Sequence, residues 1–101
     1  MNKKIPNSTK VVVIGGGVVG CSCAYHLAKF GWKDVILLER DKLTSGTTWH
    51  AEGLVSQLGP SATITKIRKY SLDLYKELEK KVDHSAGLRL NGAMSIAQEE
   101  G

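Results

Sequence analysis

Hydrophobic and polar positions along this chain follow two periods, and the places where one gives way to the other are marked by glycine. Val11-Val12-Val13-Ile14 is an unbroken run of β-branched residues, the pattern of a strand buried on both faces. Gly15-Gly16-Gly17 breaks it. From Val18 to Phe30, small and apolar residues recur at helical spacing, at Cys21, Ala24, Leu27 and Ala28, and Gly31 stands where a left-handed cap ends a helix. Trp32 and Lys33 make a turn. A second buried run, Val35-Ile36-Leu37-Leu38, follows within 34–39. The spacing predicts a strand–helix–strand unit of the length that joins two parallel strands by a right-handed crossover.

Beyond it, Arg40 to Gly59 is rich in Thr, Ser and Gly and has little periodicity. A loop that long inside a compact domain is usually functional; Leu43 to Thr48 reads as a short helix start within it. Pro60-Ser61 opens an amphipathic helix with Ile64, Ile67, Ser71, Leu74, Leu78 and Val82 on one face and Tyr75 beside them. Lys66, Arg68, Lys69, Asp73, Lys76, Glu77, Lys80 and Lys81 make a solvated opposite face. Asn91-Gly92 signals a turn, and 93–97 alternates weakly enough to suggest a strand. No repeat or low-complexity tract occurs. Residues 1–10 read as a polar tail. Two strands and two helices do not cover both faces of a doubly wound sheet, and no cap marks Gly101 as a domain end. Residues 11–101 are therefore expected to be the N-terminal part of a larger α/β domain.

Composition narrows the function classes only a little. Hydrophobic residues make up 42% of 101, enough for a packed core, and the formal net charge is +4, from 14 Lys and Arg against 10 Asp and Glu. The basic residues are scattered, which argues for a solvated surface and against nucleic-acid binding. No apolar stretch reads as a signal peptide or a membrane span, so the expected location is the cytoplasm. Cys21 and Cys23 lie on different sides of the first helix and cannot share a metal there. No other zinc-type spacing exists, and both are expected to be buried or half-buried free thiols in a reducing compartment.

The glycine run carries the chemistry. Gly15, Gly17 and Gly20 form G-x-G-x-x-G. In that pattern the first glycine turns the chain out of the strand, the second lets a pyrophosphate approach the backbone, and the third lets the helix pack closely on the sheet. The helix N-terminus adds free N–H groups and partial positive charge. Glu39 lies 22 residues after Gly17, at a strand end, close to the ~20 expected of a carboxylate that binds a ribose. An acid there disfavours the extra phosphate of NADP. This unit by itself leaves NAD and FAD both open.

The stretch VVVIGGGVVGCSCAYHLAKFGWKDVILLERDKLTSGTTWHAE, from Val11 to Glu52, resembles the N-terminal FAD-binding segment of the glycine-oxidase and D-amino-acid-oxidase superfamily. Within it, LLERDKLTSGTTWHAEGL resembles the sarcosine and dimethylglycine dehydrogenases, and SGTTWH is the most specific part. The resemblance implies a Rossmann-type FAD/NAD(P)-binding fold with a doubly wound parallel sheet. It implies Gly15, Gly17, Val18, Val19 and Gly20 at the pyrophosphate, and Glu39 and Arg40 at the ribose. It places Gly46, Thr47, Thr48, Trp49, His50, Ala51, Gly53 and Leu54 along the cofactor towards its ring, with His50 at the position of covalent FAD attachment. The implied activity is oxidative demethylation of a small N-methyl amino acid by hydride transfer to flavin. Electron-transfer flavoprotein is the implied acceptor, tetrahydrofolate the implied ligand of a C-terminal region, and the mitochondrial matrix the implied location in a eukaryote. No residue here is expected to be catalytic. A different oxidase of the superfamily with non-covalent FAD, and a non-catalytic regulatory relative, are the alternatives. Glu52 departs from the small residue commoner at that position and is read as pointing to solvent.

Other residues have plainer readings. Trp49 is either a core anchor or packs on the flavin. His26 is expected to face solvent, His84 to sit near a helix end, and Tyr70 and Tyr75 to lie on the face of the second long helix.

Overall fold

The computed structural model describes residues 4–96 and 98. Its element order is β1 (Val11–Ile14), α1 (Val18–Lys29), β2 (Val35–Leu38), the 3-10 turn η1 (Thr47–His50) and α2 (Ala62–Lys81). The chain divides into two compact units, Met1–Glu52 and Gly53–Gly101.

In the first unit β1 and β2 pair in parallel, with Val11 opposite Val35 and Ile14 opposite Leu38. The amide of Gly15 continues the ladder by donating to the Leu38 carbonyl at 2.8 Å. Helix α1 packs against both strands, so the unit is the α/β crossover that the hydrophobic pattern predicts. The helix ends as expected. Gly31 takes φ +90°, its N–H donates to the Ala28 carbonyl at 3.0 Å, and the Trp32 N–H donates to the Leu27 carbonyl at 3.0 Å. Those two bonds are a Schellman cap, which needs a residue tolerant of positive φ at this position. At the other end of the sheet the Asp34 carboxylate accepts from the Thr9 hydroxyl at 2.9 Å and the Lys10 amide at 3.1 Å. The last residues of the N-terminal stretch are thus tied to the start of β2.

Burial corrects part of the sequence reading. One face of β1 is open, as expected of a sheet that two helices cannot cover on both sides: Val11 and Val13 are half-buried, while Val12 and Ile14 are exposed at 48% and 85%; in β2 Val35, Ile36 and Leu37 are all half-buried. Side chains alternate across a strand, and α1 covers one side. Ala28 is also exposed, so the buried stripe of α1 is narrower than its apolar spacing suggests. Cys21 is half-buried, but Cys23 is exposed, because two helical positions turn it out of that stripe. His26 is half-buried rather than solvent-facing. Its Nδ1 lies 2.7 Å from the Ser22 carbonyl, and its ring meets Tyr25 edge-on at 5.1 Å.

In the second unit α2 starts where Ser61 accepts from the Ile64 amide at 3.3 Å and carries Tyr70 and Tyr75. Val82, expected on its apolar face, is instead the extended C-cap residue, and His84 lies just beyond. The strand expected at 93–97 is absent over 93–96, which pair with no strand among the described residues; residue 97 lies outside them. Weak alternation needs a ladder partner to become a strand, and none is present. The short helix expected at Leu43–Thr48 forms later, as η1 at Thr47–His50, after a turn at 43–46.

Candidate functional site

The carboxyl end of β1 turns sharply into α1, and the three glycines of the motif have different reasons to be there. Gly15 leaves the strand with φ +105°, a conformation that L side chains rarely adopt. Gly20, one turn into α1, passes so close to the strand that a Cβ would sit 1.8 Å from the Gly15 carbonyl oxygen. Gly17 is the N-cap residue of α1, and a Cβ there would come 2.9 Å from the Thr48 hydroxyl. The first N–H groups of a helix have no intrahelical partner, and the residues of this first turn border a cavity of about 510 Å³. Gly15, Gly17, Val18, Val19 and Gly20 line it, together with Thr47, Thr48 and Ala51 from the η1 segment. The Thr48 hydroxyl accepts from the Val18 amide at 2.9 Å. Its own proton remains available to a further acceptor.

Glu39, just past β2, is half-buried. Its Oε2 accepts from the Gly16 amide at 2.7 Å and its Oε1 from the Asp41 amide at 3.0 Å. These bonds, the Gly16 one foremost, hold the carboxyl below its ordinary value of 4.5, with a smaller contribution from the charge of Arg40. Arg40 itself is exposed.

The remaining predicted residues are less gathered. Trp49 is 78% exposed, and His50 is exposed at the end of η1. Gly46 has ordinary φ and open space where a Cβ would go. Gly53, with φ +73°, and Leu54, 84% exposed, belong to the second unit. Glu52 is exposed, as expected.

Two residues escaped the sequence reading. Gly16 alone is buried among the described residues. A Cβ on it would meet Leu43 Cδ2 at 2.6 Å and Glu39 Cβ at 3.0 Å. Its carbonyl accepts from the Thr44 amide at 2.8 Å and from Cys21 Sγ at 3.5 Å. The signal was a third consecutive glycine where the motif requires only its neighbours. Thr44 takes φ +64°, an outlier for a β-branched residue, and its residue type carries no hint of it.

The arrangement can do two things. Backbone amides at a helix N-terminus suit a phosphate, and a carboxylate with unused lone pairs suits a sugar hydroxyl. An FAD-type dinucleotide fits both features. Among the described residues no group of His, Cys, Asp and Glu could hold a metal ion, and no helix is long and apolar enough to cross a membrane.

Comparison with known proteins agrees with this geometry. The family described as FAD dependent oxidoreductase matches residues 10–101. The chain is 42% identical over 97 residues to a 4-methylaminobutanoate oxidase (formaldehyde-forming) of Paenarthrobacter nicotinovorans, covering 96% of the chain and 12% of the relative. It is 47% identical over 88 residues to the mitochondrial dimethylglycine dehydrogenase of Homo sapiens, covering 87% and 10%. It is 39% identical over 94 residues to the mitochondrial pyruvate dehydrogenase phosphatase regulatory subunit of Mus musculus, covering 93% and 11%. The chain therefore spans only about a tenth of the length of these relatives.

Proposed function

The chain belongs to the family of FAD-dependent oxidoreductases, and on that premise we propose that it forms the nucleotide-holding start of a flavoenzyme that demethylates a small N-methyl amino acid. The observation that carries this reading is the Gly15–Gly20 turn. It brings the first turn of α1 to the edge of a cavity lined also by Thr47, Thr48 and Ala51, from the segment that resembles the dehydrogenases. In this reading the amides of the turn and the Thr48 hydroxyl hold the pyrophosphate. Glu39 and Arg40 bind the adenosine ribose, and Gly46 to Leu54 follow the cofactor towards its ring. His50, whose side chain is exposed, would hold FAD covalently through a neutral imidazole nitrogen. Trp49 packs on the flavin.

Bound FAD supplies the redox chemistry, accepting a hydride from the N-methyl carbon. The oxidised amine then hydrolyses to formaldehyde and the demethylated product. Sarcosine, dimethylglycine and 4-methylaminobutanoate represent the substrate class. Electron-transfer flavoprotein is the proposed acceptor, and tetrahydrofolate the proposed trap for formaldehyde. Residues 11–101 extend, with further chain, into a doubly wound sheet. The proposed location is the cytoplasm, or the mitochondrial matrix in a eukaryote.

The test is to purify the full-length protein and supply each amine with an artificial electron acceptor, measuring formaldehyde. Acid precipitation then reports the linkage: flavin fluorescence in the pellet of the wild type, and in the supernatant for His50→Ala, is expected. A colourless protein would overturn the flavin reading, and flavin released from the wild type would overturn the covalent one. The similarity to a regulatory subunit favours a second reading, a non-catalytic regulatory relative that keeps the fold. Bound flavin that none of the three amines reduces would overturn the first reading and leave this one beside a different oxidase of the superfamily.

A further inference from the structure

The acid of a dinucleotide site is ordinarily judged by what it offers the ribose. In this chain both carboxylate oxygens of Glu39 are already engaged, Oε1 accepting from the nearby Asp41 amide at 3.0 Å. Its Oε2 accepts from Gly16 at 2.7 Å, across 23 residues of sequence. Gly16 is gripped from its other side as well, because its carbonyl accepts from the Thr44 amide at 2.8 Å. Its Cα faces Leu43 and Glu39 so closely that no side chain fits there. The peptide units around Gly16 are thus clasped between the two ends of the segment Glu39–Thr44, and Gly16 is buried where every neighbour in the turn is only partly covered or exposed. Nothing in the bond requires a ligand: donor and acceptor both belong to the chain. The remaining lone pairs of the carboxylate stay free for a hydroxyl.

We propose that Glu39 is a positioning residue that fixes the Gly15–Gly17 turn, through the Gly16 amide, in its phosphate-receiving shape before any nucleotide arrives. That purpose rests on the flavin reading above; the clasp itself does not. A charge-assisted bond to a half-buried carboxylate is stronger than a neutral one. The position also discriminates between side chains by reach as much as by charge. Glutamine keeps one acceptor oxygen at the same distance from the backbone, which serves the Gly16 amide and gives up the bond from Asp41. Aspartate keeps the charge but withdraws it by one methylene, and alanine removes the acceptor.

Hydrogen–deuterium exchange of the full-length protein tests this, using material made free of flavin in riboflavin-limited cells. The peptide covering β1 and the turn reports the clasp, and the peptide covering α2 reports folding. In Glu39→Ala and Glu39→Asp the turn is expected to exchange about three- to tenfold faster than in the wild type, with α2 unchanged, and Glu39→Gln is expected to restore most of the protection. Should Glu39→Ala fail to fold, as α2 would show, Glu39→Asp carries the comparison. Wild-type protection of the turn in folded Glu39→Asp would overturn the proposal, as would failure of folded Glu39→Gln to restore it. Titration with FAD keeps the two readings apart. A wild type that binds no FAD yet shows this dependence on residue 39 retains the clasp and loses the flavin reading. FAD binding with no dependence of the cofactor-free turn on residue 39 does the reverse.

Discussion

At the scale of single residues the site is held together by close approaches that one methyl group would destroy. Gly20→Ala places a Cβ 1.8 Å from a backbone oxygen, so α1 must move away from β1. The expected result is a loss of about 1–3 kcal/mol, read as a lower urea midpoint of the full-length protein, together with a fall in flavin content. Glu39 makes the acid behaviour predictable. Its carboxyl sits below its ordinary value of 4.5, chiefly because it accepts from the Gly16 amide. The charged form is therefore favoured by folding. Its contribution is complete above the unfolded value and disappears as pH falls through the lower folded one. Wild-type stability should drop with a steeper slope below about pH 4.5 than that of Glu39→Gln. Urea midpoints measured from pH 7 to pH 3 check this, and parallel slopes would contradict it.

At the scale of elements, the boundaries are set by recognisable caps. The Schellman bonds at Gly31 stop α1, and the Ser61 hydroxyl starts α2 by accepting from the Ile64 amide. Ser61→Ala should cost about 1 kcal/mol, visible as faster hydrogen exchange in the first turn of α2, with the β1–α1 turn unaffected. Unchanged exchange there would mean that solvent caps the helix equally well. The Lys69–Asp73 pair on the same helix is exposed at both ends, 58% and 51%. Exposed pairs of this kind contribute little, so its removal should leave the urea midpoint in place.

At the scale of the whole molecule, a ligand held by the folded state alone adds to its stability. FAD present at about 100 times its dissociation constant should add about 2.7 kcal/mol, seen as a rise in the urea midpoint that NAD does not reproduce. The strand–helix–strand unit and its glycine motif were legible from the chain alone because each depends on neighbours within a few positions. Apolar period, helix cap and turn residue are local physics. The same locality explains the failures. The alternation at 93–96 is real, but a strand exists only where another chain segment pairs with it, and none among the described residues does. Nor does residue type say that Gly16 is buried, that Thr44 takes a left-handed conformation or that Trp49 stays exposed. The sequence by itself determined the elements, their caps and the likeness to the flavin enzymes. Tertiary structure alone decided what the acid and the threonine do. Glu39 meets Gly16 across 23 residues and Thr48 meets Val18 across 30, and contacts closed by loops of that length follow from how the chain packs, not from its local pattern.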